Sequence, residues 1–234
     1  MPMHGKQPSG LLTQQRMLRS AVALFRAKGY ENPTTAEISR AAGMSPSAFF
    51  RAYESKEQML LALVQHMFAG QFSLAAQQLR ADEPVLLYAA ETALQLHIAE
   101  LSEPLRDLYV TAYSLPSTTQ YLYRTTARRL SAIFRAYLPQ ASEQDFYELE
   151  IASASIMRGF MAVPCGEGLS MEQKLRRFLS CCLTLYAVPE REQAAAVQRV
   201  LSLPLAELAE HMVRQTVRLS EQGLLTDAEA PETT

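Results

Sequence analysis

The stretch from Thr34 to Leu60, TTAEISRAAGMSPSAFFRAYESKEQML, sets Arg40, Arg51, Lys56 and a series of hydroxyls between apolar positions. Side chains of these types donate hydrogen bonds and neutralise negative charge; at this spacing they do no covalent chemistry. Nowhere does the chain show a nucleophile–base constellation, a metal-ligand spacing or a glycine-rich phosphate loop. The expected activity is therefore binding, with no cofactor and no enzymatic step. Three cysteines, Cys165, Cys181 and Cys182, are an odd number without metal spacing and read as small apolar groups in a reducing compartment.

These residues need elements to hold them, and the sequence supplies short helices. Leu18, Ala21, Val22 and Phe25 repeat at i, i+3, i+4, i+7, one buried helical face. Gly29 is placed to end that helix in the left-handed conformation. Thr34 to Glu37 has the form of a capping box, and Ile38 and Ala42 face inward from the helix it starts. Ser45-Pro46 is a second start, Ser as N-cap and Pro at the first helical position. Ser55 to Gln58 is a third, opening a long helix to about Arg80 through Met59, Leu60, Leu63, Val64 and Met67. Two short helices joined by a tight turn at Gly43 form a helix-turn-helix. Ile38, Ala42, Met44 and Phe49 would pack it, and Ser39 and Ala41 are small enough for close approach. Its second helix, Ser45 to Tyr53, would then face the major groove of DNA.

Charge agrees with that. Residues 1–56 carry eight Lys/Arg against three Glu, a balance of +5, while the rest of the chain is at −7, giving the overall −2. A basic head on an acidic body suits a polyanionic partner. No apolar run approaches the roughly 18 residues that span a bilayer, and the N-terminus has no apolar core of a secretory signal. The expected location is the cytoplasm, with no membrane partner.

The segment LRSAVALFRAKGYENPTTAEISRAAGMSPSAFFRAYESKEQMLLAL resembles the N-terminal domain of TetR-family transcriptional regulators. The likeness covers about residues 11 to 67 and rests on the LF-x-x-K-G-Y helix end, the I-x-x-A-A-G-M-S turn and the S-K-E-x-M-L start of the long helix. The resemblance implies a DNA interface of Thr34, Thr35, Ser45, Ser47, Phe50, Arg51, Tyr53 and Lys56. Phe50 stands where the family often has a Tyr whose hydroxyl reaches a phosphate; it is either core or a contact to a thymine methyl. Ala48 replaces a Thr, and Pro46 replaces a Lys. Arg51 would take a guanine edge or a phosphate, and Lys56 a phosphate at the start of the long helix.

The fold class expected is all-α. Residues 1–10 read as a flexible arm, 11–70 as the DNA-binding domain, 71–222 as a helical ligand-binding and dimerisation domain, and 223–234 as a disordered tail. Pro84, Pro104, Pro116, Pro139, Pro164, Pro189 and Pro204 mark helix boundaries in the body. His97, Tyr109, Tyr113, Tyr123, Phe134 and Met157 are either core or the lining of a ligand pocket. Because the central helices offer Tyr, Phe, Met and one His but few charges, a mostly apolar or aromatic ligand is expected. The partners implied are double-stranded DNA with an inverted-repeat operator, a second copy of the chain, and an unidentified small effector. The dimer seam is expected near Asp145–Val163 and Met171–Tyr186, using Leu175, Phe178, Leu179, Cys182 and Leu183, with the helix at Pro204–Leu219 as the alternative participant or a cap on the bundle. The role expected is a repressor released by its ligand. An activator or a thiol-responsive regulator of the same fold is the alternative. A helical small-molecule-binding protein or enzyme with an incidental helix-turn-helix is the rival from another class.

Overall fold

The computed structural model describes the backbone of residues 8–78 and 83–223, and the side chains of all of these but 8–9 and 68–78. Arg80, most of the expected arm and most of the expected tail lie outside the described residues. The described chain is all helical: α1 Pro8–Lys28, α2 Thr35–Ala41, a 3₁₀ turn Pro46–Ala48, α3 Phe49–Ala52, α4 Lys56–Gln78, α5 Pro84–Glu100, α6 Glu103–Ala112, α7 Pro116–Phe134, α8 Glu143–Ala162, α9 Met171–Leu185, α10 Glu190–Leu201 and α11 Leu205–Glu221. α1 begins at Pro8, so the last residues of the expected arm, Pro8–Gly10, are helical.

Local chemistry sets these boundaries. Pro84 and Pro116 each open a helix within its first turn, where a missing N–H has no helical partner to lose. Ser102, Ser142 and Ser170 each cap a helix through the side-chain oxygen, the last two in full capping boxes. Gly29 and Gly43 have φ of +77° and +70°, the left-handed conformation that lets α1 and α2 stop abruptly.

The head is α1 to α3 packed on the first turns of α4. Met17, Ala21, Phe25, Ile38, Phe49, Met59 and Leu60 are fully buried there. The body is α5 to α11, with α5 at its centre, packed against α6, α7, α8, α9, α10 and α11. That position explains why most of α5 is buried. α9 turns Leu175, Phe178, Leu179, Cys182 and Leu183 into this same core. The expectation that this stripe forms the dimer seam is therefore wrong: it is already covered by the chain's own helices. The outward residues of this pair of helices include Ile151, Ser155, Arg158 and Gly159 on α8 and Arg177, Ser180, Cys181 and Thr184 on α9. Ile151 and, just past α8, Val163 are large apolar side chains left exposed.

One charged residue inside the body is unusual. Lys174 is completely buried. Its ammonium pairs with Glu100 Oε1 at 2.5 Å and donates to the Val163 carbonyl. Glu100 also accepts from Arg106 at 3.2 Å and from the Cys165 N–H at 3.1 Å. The network ties the α8–α9 loop to α5 and satisfies a charge that alone would be very costly to bury.

Candidate nucleic-acid interface and effector cavity

The helix-turn-helix is held by bonds from α1. Arg16 Nη2 donates to the Ala42 carbonyl at 2.8 Å, and Gln14 Nε2 to the Ala52 carbonyl at 2.7 Å, so α1 grips the ends of α2 and α3. Ser39 is buried between α1 and α2, with its hydroxyl 3.8 Å from Met17 sulfur. Ala41, expected to share that close approach, is exposed instead. One turn of helix separates 38 from 42, and 41 falls on the outer side of it.

The second helix differs from expectation in kind. Ser45 makes no side-chain cap; its hydroxyl pairs with Ser47 at 3.0 Å. The chain enters through the Pro46–Ala48 3₁₀ turn, closed by the Ala48 N–H on the Ser45 carbonyl, and only Phe49–Ala52 is α-helical. Ala48, Phe49 and Ala52 face the core, so Ala48 is a packing residue and not a lost DNA contact. Phe50 and Arg51 point outward. Phe50 is 65% exposed, with its ring edge-on to the buried Phe49 at 5.4 Å, which decides between its two readings: it is not core.

The remaining sites are more engaged than the sequence suggested. Thr34 forms the capping box with Glu37, its N–H donating to Glu37 Oε2 at 2.8 Å while its hydroxyl oxygen accepts the Glu37 N–H at 3.1 Å. Those bonds lower the Glu37 pKa and hold a carboxylate at the N-terminus of α2, beside Thr35. Tyr53 is half-buried against α1, its hydroxyl 3.5 Å from the Gln14 carbonyl. Lys56 folds back on the turn after α1, with its ammonium 3.1 Å from the Glu31 carbonyl and 4.3 Å from the centre of the Tyr30 ring. Partial burial lowers its pKa against the pull of Glu31, Asp107 and Glu37.

Hydrogen bonds between described residues join this head to the body. The Tyr30 N–H, just past Gly29, donates to Asp107 Oδ2 on α6 at 2.5 Å. Glu57 Oε1, in the first turn of α4, accepts the Ser117 N–H at the start of α7 at 2.9 Å. Both carboxylates receive orphan backbone donors, which fixes the approach of the elements.

The body holds a central cavity of about 40 Å³ between α5, α6, α7, α8 and α9. Of the six residues proposed for the ligand, Tyr113 and Met157 line it. Tyr109 lines a separate apolar cavity between α1, α4, α6 and α11. Phe134 is core, stacked on Tyr186 at 4.2 Å. Tyr123 is partly exposed and meets Tyr147 edge-on. His97 is half-buried beside a surface groove with α9 and α11. The expectation of few charges also fails. Glu91, Arg129 and Glu150 all line the cavity, with Gln95 and Ser153. Arg129 Nη2 donates to both oxygens of Glu91 at 2.8 and 3.0 Å. Tyr186 donates to Ser153 Oγ, and Ser153 to Glu150 Oε2, each at 2.8 Å. Burial pushes the Glu150 carboxyl up to about 8, and that of Glu91 up to about 7 against the opposing pull of Arg129. Each charge is a single residue on a different helix, so no linear motif announces them. Glu91 did leave one signal, a lone carboxylate inside the apolar run VLLYAAETALQL.

Residues 17–63 match the family described as bacterial regulatory proteins, tetR family. The HTH-type transcriptional regulator TcmR of Streptomyces glaucescens is 41% identical over 49 residues, 21% of this chain and 22% of that protein. The match thus spans about a fifth of that relative's length. Among solved structures, RolR in complex with the ligand resorcinol superposes with a TM-score of 0.61 at 18% identity, over 84% of this chain and 96% of that one. TylP, a TetR regulator from Streptomyces fradiae, gives 0.56 at 17% identity, over 89% and 91%. At these identities the two likenesses show the fold: a helix-turn-helix head on an all-helical body. No helix among the described residues is long and apolar enough to cross a membrane. Residues 17–63 thus carry the head described for the tetR family of bacterial regulatory proteins, on a body that shares the all-helical fold of RolR and TylP.

Proposed function

We propose that the protein is a homodimeric repressor that binds an inverted-repeat operator and is released from it by a small molecule entering the body. The observation that carries the DNA reading is the exposed Phe50–Arg51 pair, held outward on a helix whose other side is locked in the core. An exposed aromatic beside an exposed guanidinium has little reason to face water. It fits the base edges of a major groove, the guanidinium on guanine and the ring on a thymine methyl. One such head covers a half-site, so useful affinity calls for a second head about a helical turn or more away. The outward small residues of α8 and α9 with exposed Ile151 are the surface that suits the seam. Small-molecule release is supported by the cavity that Glu91, Arg129 and Glu150 help to line and by the Glu57–Ser117 bond, which connects a cavity-lining helix to α4.

The test starts from a random duplex pool, since the operator has to be found. Selection with the purified chain is expected to enrich an inverted repeat. Binding to it should fall linearly in log K against log salt, as counterions leave the phosphates. Failure of any sequence to enrich, with the protein folded, would overturn the reading.

A further inference from the structure

The central cavity has a chemistry that selects among effectors. It is walled by two carboxylates and one guanidinium, and the guanidinium is already committed to Glu91. Among the described residues no cation pairs with Glu150: its hydrogen bond comes from Ser153, one turn along its own helix. The titratable groups around it are Tyr88 and Glu91 from α5, Tyr113 from α6, Tyr123 and Arg129 from α7, and Cys182 and Tyr186 from α9. The four phenols have raised pKa values, and burial pushes the Cys182 thiol up to about 12, so all five are neutral at pH 7. The cavity therefore presents a buried carboxyl in want of a counter-charge, with the rings of Tyr88, Tyr113 and Phe178 in its lining. Aromatic faces attract cations as well.

We infer that the effector is an organic cation, whose positively charged nitrogen seats in the central cavity against Glu150 and the aromatic walls. The inference rests on the proposed ligand-responsive function and names the class of molecule that site takes. A cavity of about 40 Å³ holds a group of one or two waters' size, which suits a charged head group. The apolar remainder of the molecule enters by displacing Met157, an unbranched and adaptable side chain. An anion gains no charge partner from Glu150 and must compete with both Glu91 oxygens for the Arg129 guanidinium, while a neutral molecule gains nothing when Glu150 ionises. Because the Glu150 carboxyl holds its proton up to about pH 8 in the empty protein, a cation must displace that proton. Affinity should then climb about tenfold per pH unit below 8 and level off above it.

The experiment is isothermal titration of the full chain with three probes: benzyltrimethylammonium, its neutral carbon isostere neopentylbenzene, and benzoate. The quaternary cation does not titrate, so any pH dependence belongs to the protein. The expected result is one cation bound per chain, at least about tenfold tighter than either other probe, with proton release at pH 7. Glu150→Gln should abolish the preference and flatten the pH profile, while wild type and variant both melt cooperatively. Equal binding of the neutral isostere, cation binding that survives E150Q unchanged, or no saturable cation binding would each overturn the inference. Operator affinity is measured separately by fluorescence anisotropy. Cation binding that leaves operator affinity unchanged would uphold the site and overturn only the proposed release.

Discussion

At Phe50 the family resemblance and the structure meet, since a residue that lacks the phenol oxygen is nonetheless largely exposed. Phe50→Tyr adds only a hydroxyl at the rim of an exposed ring. It should leave thermal stability unchanged and tighten operator binding by about 1 kcal/mol, if the oxygen reaches a phosphate; the anisotropy assay reads this directly. Arg51→Ala should cost about 1–3 kcal/mol and relax one operator position, visible on repeating the selection. Lys56 behaves differently, because its ammonium is already seated on the Glu31 carbonyl and the Tyr30 ring. Lys56→Ala should weaken all DNA sequences alike and also lower the melting temperature, which Arg51→Ala should not do. Glu150 gives a pH signature. Its carboxyl ionises near 4.5 when free and near 8 when folded, so between these values the native state keeps a proton that the unfolded state has lost. Stability should therefore fall as pH rises through this window, and Glu150→Gln should remove that part of the slope in melts taken from pH 5 to 8.5. Thr34, Gly29 and Gly43 were legible in the sequence because capping and positive φ depend on the nearest residues. Glu91 and Glu150 were not, because their burial is decided by four neighbouring helices.

Among the elements, the turns were legible and the second helix of the motif was not. Ser45-Pro46 has the residues of an N-cap and first turn, but the Ser45–Ser47 hydroxyl pair and the 3₁₀ closure took their place. Propensity cannot rank two such tight starts. The α9 stripe has the spacing of a buried face, and the chain's own helices cover it where a second copy is expected, since periodicity says that a face is covered and not by what. The Gly43 turn is a direct test of the motif. Its φ is +70°, and a Cβ there would lie 3.2 Å from Arg16 Nη2, the group that holds Ala42. Gly43→Ala should cost about 1–2 kcal/mol in denaturant unfolding and reduce operator affinity. Glu57→Gln weakens the bond from the start of α7 to the start of α4. It should leave operator affinity nearly intact and reduce the change caused by the effector, so the ratio of affinities with and without ligand is the quantity to measure.

On the scale of the whole molecule, head and body are joined at both of their surfaces. Asp107 and Glu57 tie α6 and α4 to the turns around them, and α11 packs on α1 as well as on α5. A two-fold dimer formed through the outer face of α8 and α9 should sediment as a dimer at micromolar concentration. Ile151→Glu should shift it toward monomer and lower operator affinity steeply, because two linked heads bind far more tightly than one. The position of α11 also bears on how the protein is made. Met212, Val213 and Val217 close an apolar cavity against Val22 of α1, yet nearly two hundred residues separate these partners in synthesis. Until the ribosome has made α11, that flank of α1 has only α4, α5 and α6 to cover it, and one wall of the cavity is missing. The nascent head is thus sticky before it is finished, and a chaperone or an early stall would find it in that condition. A messenger cut short before α11 should yield aggregate and not a small free DNA-binding fragment, so truncated chains would not compete with the full chain for DNA.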